Sequence, residues 1–401
     1  MSGLVAYLRH AKETLSSCKK VQVVMGNEAC DLDSAVSAIT YAFLLHSLRA
    51  EREDKESVGV VDKEAVGVVD KEAVGVVDKE AVGVGVVPVL NIPRRDFPLR
   101  TEVTHWLGRH GVSPEVLVFR DEINLHDLHE KGNLQLFLVD HNILPAGDAC
   151  LESAVCYVID HHRLERQVGA GRDEILLEMV GSCATLIAER MLRENRSSLE
   201  DERAVRLLHG TIILDTINLS DEAKRVTPKD VQALEELEAI LKAPPDRRQI
   251  FAELTSAKGD ISSLATEELL RKDRKVVVGG GGEVVVGVSS LPLTVQDYLQ
   301  RADVGVSLAQ HSDLQGAHAV VLMGISLAGN SVERDIAVYS KDEALRRSLT
   351  QYLEDAQGGL LQLASMDTNV AHCKAYQQKN CAASRKVVLP LVKDWLASKN
   401  L

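Results

Sequence analysis

The sequence has few aromatic residues and no excess of positive charge, and both shortages restrict the partners it can bind. Only 3% of its 401 residues are Phe, Trp or Tyr, which leaves little surface on which nucleobases could stack. Its 59 acidic residues outnumber 46 basic ones, and the formal net charge of -13 repels a polyanion unless cations are concentrated locally. We therefore expect no general binding of nucleic acids.

Paired cysteines and long apolar runs are also missing. The seven cysteines have no regular spacing and no paired metal-binding pattern, so we expect a reducing compartment and no disulfides. No stretch approaches the roughly 18 consecutive apolar residues of a membrane span. Residues 1–20 carry charged side chains where a signal peptide would be apolar, and they predict an amphipathic helix. The expected protein is soluble and cytoplasmic.

Short β-rich runs alternate with helical patterns from Val21 onward. The runs are VQVVM, VVPVLNI, EVLVF, LQLFLVD and AVCYVID, and a long apolar-periodic helix from Ser34 to Leu48 follows the first of them. This alternation predicts an α/β fold whose residues 1–225 form a doubly wound, mostly parallel sheet. Because 401 residues exceed what one hydrophobic core usually fills, we expect a second, smaller α/β domain.

Two breaks in composition interrupt the alternation. The octad SVGVVDKE and its copies occupy residues 57–84, and such short repeats between a helix and a strand predict a surface insert without site residues. A charged stretch that ends in Ala-Pro-Pro-Asp predicts a linker over 226–246, which leaves 247–401 as the second domain. Gly279 to Gly282 lie between two Val-rich runs and predict a hairpin turn, not a phosphate loop.

Acidic residues and histidines follow several of the predicted strands. Asp31 and Asp33 come after VQVVM, Asp140 ends LQLFLVD, and His161 and His162 follow AVCYVID. Ligands of an open α/β sheet bind at the carboxyl ends of its strands, where several carboxylates repel one another unless cations are bound. Taken alone, Asp33 could cap the following helix. Taken together, the strand ends predict a metal centre.

Asp215 is a further candidate ligand. It ends an apolar helical run in TIILDTIN, where a buried carboxylate without a partner would be costly. A helix cap is the alternative for Asp215 alone. Together with the strand-end residues, Asp215 is better explained as a metal ligand.

The ordered motifs N-E-x-x-D-x-D-S, V-D-H-N, I-D-H-H, G-S-C-A-T and D-T-I-N resemble those of the DHH phosphoesterase superfamily. Within it, the match is to the Prune and exopolyphosphatase branch, close to family II inorganic pyrophosphatases. The resemblance covers nearly the whole chain outside the octad insert. It implies hydrolysis of short inorganic polyphosphates, with nucleoside polyphosphates and cyclic nucleotides as further substrates, in a cleft between the domains.

The resemblance also implies a site for two divalent cations. The implied ligands are Asn27 and Asp31 for one cation, Asp33, His161 and Asp215 for the other, and Asp140 bridging both. His162 would face the substrate phosphate, and a hydroxide between the cations would be the nucleophile. The family's pyrophosphatases carry histidine in place of Asn27, and the harder amide oxygen favours Mg²⁺, with Mn²⁺ as the alternative.

Two basic motifs of the second domain resemble phosphate-binding elements of the DHH-associated domain. They are D-x-K, ending in Lys275, and S-R-K, containing Arg385 and Lys386. Alone, either would be a solvated surface run. The resemblance implies that these three cations hold the outer phosphates of the substrate. The histidines interpreted as surface or structural residues are His126, His129, His209 and His311.

Two other functions compete with hydrolysis of short polyphosphates. A regulatory protein-binding scaffold would retain the fold with weak turnover, but the complete set of candidate ligands favours the enzyme. An oligonucleotide phosphodiesterase of the nanoRNase kind would need a nucleobase platform, which 3% aromatic residues scarcely provide. The motifs specify neither the oligomeric state nor any protein partner.

Overall fold

The computed structural model of the protein divides the chain into two compact units, Met1–Lys258 and Gly259–Leu401. The described residues are 3–57, 83–165, 174–279, 284–328 and 331–398. Both units combine helices with a β-sheet, so the predicted α/β architecture with two domains is confirmed. The octad copies at 58–82 of the predicted insert lie outside the described residues.

The first unit is built on a six-stranded parallel sheet in the order β3-β2-β1-β4-β5-β6. Its strands are β1 (Lys20–Met25), β2 (Val84–Leu90), β3 (Val118–Phe119), β4 (Leu134–Val139), β5 (Val155–Asp160) and β6 (Glu174–Leu177). The five predicted β-rich runs correspond to β1 to β5. Strand β6 has no clear signal in the sequence, because its four residues are short of the usual strand length and only half buried.

Helices precede, connect and follow the strands of this sheet along the chain. They are α1 (Leu4–Thr14), α2 (Leu32–Ser57), α3 (Thr101–Arg109), α4 (Leu125–Glu130), α5 (Cys183–Glu194), α6 (Glu202–Asp215), α7 (Pro228–Ile240) and α8 (Arg247–Gly259). The predicted amphipathic N-terminal helix is α1, whose Leu4, Tyr7, Leu8 and Ala11 share one buried face. The predicted helix after the first strand is α2, which packs against β2, α5 and α6.

The observed division of the chain differs from the predicted linker over 226–246. Most of that stretch forms α7, which begins at Pro228 and packs against α5 and α6. Its Leu234 and Leu237 are fully buried, so the helix belongs to the core of the first unit. The charged face of α7 resembles a linker in sequence because solvated helices and linkers share a polar composition.

The second unit contains a mixed six-stranded sheet in the order β11-β12-β10-β9-β8-β7. Its strands are β7 (Arg274–Val278), β8 (Val285–Leu291), β9 (Ala319–Ala328), β10 (Ser331–Tyr339), β11 (Leu363–Met366) and β12 (Cys373–Gln378). Its helices are α9 (Thr266–Lys272), α10 (Val295–Leu299), α11 (Val304–Leu314), α12 (Glu343–Gly359) and α13 (Arg385–Ser398). Strands β7 and β8 are antiparallel, as the predicted hairpin requires, although residues 280–283 of its turn lie outside the described residues.

Each unit has its own hydrophobic core. In the first unit, Trp106 and Phe119 are buried in one hydrophobic cluster. In the second unit, Tyr298 and Trp395 are fully buried in two separate hydrophobic clusters. Across the described ranges, no helix combines the length and apolar character needed to cross a membrane.

Candidate metal centre

The candidate ligands gather where the strand order of the first sheet reverses. The chain leaves β1 toward β2 on one side and leaves β4 toward β5 on the other, so β1 and β4 are neighbours whose connections diverge. Such a point opens a crevice at the carboxyl ends of the strands. Asn27, Asp31 and Asp33 follow β1, and Asp140 follows β4, which places all four at this crevice.

The turn after β1 is held tightly against the start of α2. A Cβ atom on Gly26 would lie 2.8 Å from both the Cβ and the backbone oxygen of Ser34, so a glycine is required there. The N–H of Asn27 donates to Ser34 Oγ at 3.1 Å. Asp31 Oδ1 accepts the N–H of Ser34 at 3.1 Å, so Asp31, and not Asp33, caps this helix.

Asp33 connects the first motif to the start of α5. Its carboxylate accepts the backbone N–H groups of Cys183 at 2.7 Å and Ala184 at 2.8 Å. These are the first two residues of α5, where unpaired N–H groups and the helix dipole favour a negative charge. The G-S-C-A-T motif is thereby fixed beside the strand ends.

Asp140 lies at the centre of the cluster, with a left-handed backbone (φ 61°) and a buried side chain. Its Oδ2 accepts hydrogen bonds from Ser34 Oγ at 2.6 Å and from Asn27 Nδ2 at 2.9 Å. Its Oδ1 lies 3.2 Å from His161 Nε2. The two oxygens of one carboxylate therefore face different residues, Ser34 and Asn27 on one side and His161 on the other.

Asn27 presents its amide nitrogen, and not its oxygen, to Asp140. Its Oδ1 instead accepts the backbone N–H of Ala29 at 2.9 Å and that of Cys30 at 3.3 Å. Coordination of a cation through Oδ1 would require the amide to turn over and to give up these bonds.

His161 is oriented by a backbone carbonyl. Its Nδ1 donates to the oxygen of Val180 at 2.9 Å, which leaves Nε2 facing Asp140 and, at 3.7 Å, Asp33. A histidine that ligates a metal commonly donates its other nitrogen in this way. His161 is buried, and its Nε2 lies among carboxylate oxygens.

His162 lies at the exposed edge of the cluster, with 54% of its side chain accessible. Its Nδ1 donates to Oδ1 of Asp160 at 2.8 Å, and Asp160 is fully buried. Asn142 Nδ2 also donates to Asp160, at 2.5 Å. The ligand atoms of Asp140, His161 and His162 lie within 4.8 Å of one another, which is compatible with one cation.

Asp215, the last residue of α6, joins the cluster from a separate element. Its Oδ2 accepts a hydrogen bond from Ser182 Oγ at 2.8 Å. After Thr216, the chain turns through three consecutive left-handed residues, Ile217, Asn218 and Leu219, with φ of 50°, 54° and 61°. Such a run is unfavourable for residues other than glycine, so the turn that follows this carboxylate is held by its surroundings.

The clustered carboxylates hold protons more tightly than free carboxylates do. Burial, and next the charge of Asp33, raise the pKa of Asp140 to about 7. The same two causes raise the pKa of Asp31 and Asp215. Burial alone would lower the pKa of His161, but hydrogen bonding to Asp140 and the charge of Asp33 raise it to about 9. Repulsion among the carboxylates therefore favours their protonated forms, which is the effect expected of crowded strand ends.

In the second unit, the two basic motifs come together. Arg385 Nη1 lies 2.7 Å from Asp273 Oδ1 and donates to Ser290 Oγ at 3.1 Å. This ion pair joins the first residue of D-x-K to the arginine of S-R-K. Lys275 and Lys386 are both exposed.

Three further residues of the cluster have contacts that the sequence motifs do not reveal. Ser34 was predicted only as the start of a helix, Asp160 only as part of I-D-H-H, and Ser182 only as part of G-S-C-A-T. Of these, Asp160 carried a usable signal, because a carboxylate directly before two histidines is well placed to orient one of them. The contacts of Ser34 and Ser182 depend on distant residues.

Family models match both units of the chain. Residues 22–211 match the DHH family, N-terminal domain, and residues 252–395 match the DHHA2 domain.

Several known proteins are similar to the chain. Exopolyphosphatase PRUNE1 of Mus musculus is 37% identical over 393 residues, which are 98% of this chain and 79% of the relative. A Streptococcus suis protein named "Probable manganese-dependent inorganic pyrophosphatase" is 30% identical over 205 residues, covering 51% of this chain and 64% of the relative. The crystal structure of an exopolyphosphatase-related protein from Bacteroides fragilis matches with a TM-score of 0.41 and 12% identity, over 98% of this chain and 96% of that one.

Proposed function

This chain belongs to the DHH family, within its Prune branch, and from that premise we propose that it is a metal-dependent phosphohydrolase of short inorganic polyphosphates. The observation that carries the proposal is the position of Asp140. Its Oδ2 faces Asn27 and Ser34, while its Oδ1 faces His161. A carboxylate placed in this way can serve two cations at once, as a two-metal hydrolase requires.

The donor set suits divalent cations. Asp31, Asp33, Asp140 and Asp215 supply oxygen, and His161 supplies a nitrogen whose direction is fixed by Val180. The raised pKa values of Asp31, Asp140 and Asp215 support the same assignment, because a cation can replace the protons that the crowded carboxylates hold.

We assign Asp31 and Asn27 to one cation, and Asp33, His161 and Asp215 to the other. Asn27 can take part only with its amide turned over, so Asp31 and Asp140 are the stronger ligands of the first cation. Oxygen donors alone favour Mg²⁺ there, and the imidazole of His161 makes the second position compatible with Mn²⁺ as well. The name of the Streptococcus suis relative includes manganese dependence.

In the proposed mechanism, the cations and the side chains have different roles. Bound divalent cations would acidify water and neutralise charge on the attacked phosphate. His162 is suited to meet that phosphate, since it is half exposed and its Nδ1 is already bonded to Asp160. That hydrogen bond raises the pKa of His162, which favours the imidazolium. His162 then donates a hydrogen bond or a proton from Nε2 to a phosphate or leaving-group oxygen.

The outer phosphates are proposed to meet Lys275, Arg385 and Lys386 of the second unit. The ion pair with Asp273 keeps Arg385 in a fixed direction but also offsets part of its charge. With a net charge of -13, the chain cannot present a long basic track. Short substrates are therefore preferred.

A phosphate-release assay tests this proposal. The panel is pyrophosphate, tripolyphosphate and a chain of about fifty phosphates, each with Mg²⁺ or Mn²⁺ after treatment with a chelator. Cyclic AMP is followed under the same conditions by the formation of AMP, because its hydrolysis frees no phosphate. We expect no release without added cation, and a kcat/KM that falls from tripolyphosphate to the long chain. Full activity in chelator, or hydrolysis of the long chain as efficient as that of tripolyphosphate, would contradict the proposal.

A further inference from the structure

Away from the metal centre, a cysteine, a histidine and an aspartate form a continuous chain of contacts on the first unit. Cys150 Sγ lies 3.6 Å from His126 Nδ1, and His126 Nε2 lies 3.0 Å from Asp148 Oδ1. Asp148 is buried, whereas His126 is half exposed and Cys150 is exposed. His126 lies on α4, and the other two lie on the 3₁₀ helix at Ala146–Ala154.

The carboxylate determines which nitrogen of His126 carries the hydrogen. Burial alone would raise the pKa of Asp148, but hydrogen bonds from His126 and from Arg120, at 2.7 Å, lower it. Ionised Asp148 can only accept, so His126 Nε2 must donate to it. In the neutral ring, Nδ1 is then a bare acceptor facing the thiol of Cys150, and Asp148 stabilises the imidazolium that forms when Nδ1 takes the thiol proton.

The other cysteines are less suited to react. Burial raises the pKa of Cys30 and of Cys373 to about 12, and burial also raises the pKa of Cys183. Among the cysteines within the described ranges, only Cys150 is exposed. Cys381 is half buried, and its thiol lies 3.8 Å from the backbone oxygen of Gln378, which makes it a suitable internal reference.

We propose that Cys150 is a thiol-modification site that forms mixed disulfides with low-molecular-weight disulfides, with His126 as the base and Asp148 as the residue that orients it. Nδ1 of His126 takes the proton of Cys150, and the thiolate attacks one sulfur of the disulfide. The new Sγ–S bond forms as the old S–S bond breaks, and the departing thiolate takes the proton from His126. The products are a mixed disulfide at Cys150 and one free thiol.

This site is separate from the metal centre and does not depend on the proposed phosphohydrolase function. Its chemistry is that of the Cys150–His126 pair, in which the imidazole removes the thiol proton as the sulfur attacks. An ordinary thiol is only a few per cent ionised at pH 7. The pair therefore predicts a rate advantage of about tenfold or more over an unassisted cysteine.

The test is a time course of mixed-disulfide formation on the full chain with glutathione disulfide, followed for each cysteine by peptide mass spectrometry. In the wild type, Cys150 should be modified about tenfold faster than Cys381. His126→Ala should slow Cys150 about tenfold and leave Cys381 unchanged. His129→Ala is the matched control, because His129 lies one turn along α4 and contacts Ser153, at 3.4 Å, and not Cys150. It should leave the rate at Cys150 unchanged.

Two further measurements separate a base from a merely structural histidine. His126→Gln can still donate to Asp148 but cannot take a proton, so it should be as slow as His126→Ala. Added imidazole should restore part of the rate in His126→Ala. Equal rates at Cys150 in the wild type and in His126→Gln, or an equal loss in His129→Ala, would overturn the proposal. A rate at Cys150 no greater than that at Cys381 in the wild type would also do so.

Discussion

At the scale of single residues, the candidate ligands differ in how much of the fold depends on them. Asp33 accepts two backbone N–H groups at the start of α5, so its removal would disturb a helix as well as a ligand. Asp140 accepts its hydrogen bonds from the side chains of Ser34 and Asn27. Asp140 is therefore the better residue for testing metal binding without loss of the fold.

Asp160 provides a prediction about the orientation of His162. We expect Asp160→Asn to lower kcat for tripolyphosphate by about tenfold to a hundredfold, because the neutral amide no longer favours the imidazolium or fixes its direction. Glu253→Gln is the control, since Glu253 accepts a hydrogen bond from His105 at 2.7 Å in the same unit. If Asp160→Asn stays within a factor of two of the wild type, or if the control loses as much, then His162 does not act as described.

At the scale of elements, hydrogen bonds to Asp230 fix the turn before α5. The N–H of Gly181 donates to both oxygens of this buried carboxylate, at 3.0 and 2.9 Å, and Thr185 Oγ1 donates to it at 2.6 Å. The neighbouring Ser182 holds Asp215. The G-S-C-A-T motif thus connects α2, which carries Asp33, with α6, which carries Asp215.

Gly181→Ala tests this packing. The added Cβ would lie 2.6 Å from Thr216 Cγ2 and 3.0 Å from Asp230 Oδ2, so we expect the free energy of unfolding to fall by about 1–3 kcal/mol. Gly147→Ala has open space around its Cβ and should change stability by less than about 0.5 kcal/mol. Urea unfolding of both variants measures the difference. Equal stability of the two would show that the turn has room to adjust.

The sequence predicted the elements that carry a local signal. Alternating apolar runs identified β1 to β5, and the acidic residues after them predicted a metal centre at the carboxyl ends of the strands, which stays a prediction. The sequence did not predict that α7 belongs to the first unit, because its buried Leu234 and Leu237 are only two positions in a charged stretch. Contacts such as that of Asp33 with Ala184, 151 residues apart, leave no local pattern, since they depend on the completed fold.

At the scale of the whole molecule, the acidic balance of the chain makes its stability depend on pH and on cations. The folded-state pKa of Asp140, about 7, and that of His161, about 9, both exceed the usual values of 3.8 and 6.5 for these side chains. A raised folded-state pKa stabilises the fold below the unfolded value and ceases to do so as the pH rises through the folded value. Both groups therefore act in the same direction.

We accordingly expect the melting temperature of the chelator-treated protein to fall as the pH rises from about 4 to about 9, first through Asp140 and then through His161. Added Mn²⁺ should reduce this fall, because cations bind the ionised carboxylates of the folded state and replace the protons. Thermal unfolding with chelator or with Mn²⁺ across this range measures both effects. A melting temperature of the chelated protein that rises with pH, or one that Mn²⁺ leaves unchanged, would disagree with the proposed cluster.

The number of cations bound per chain tests the central claim most directly. Equilibrium dialysis against Mn²⁺, followed by elemental analysis, should give two per chain in the wild type. The exposed Asp127, which pairs with Lys131, lies outside the cluster, so Asp127→Asn should also retain two. Asp140→Asn should retain one at most, since asparagine tolerates the left-handed backbone of this position but cannot bridge two cations. Fewer than two in the wild type, or two held equally tightly by Asp140→Asn, would contradict a two-cation centre bridged by Asp140.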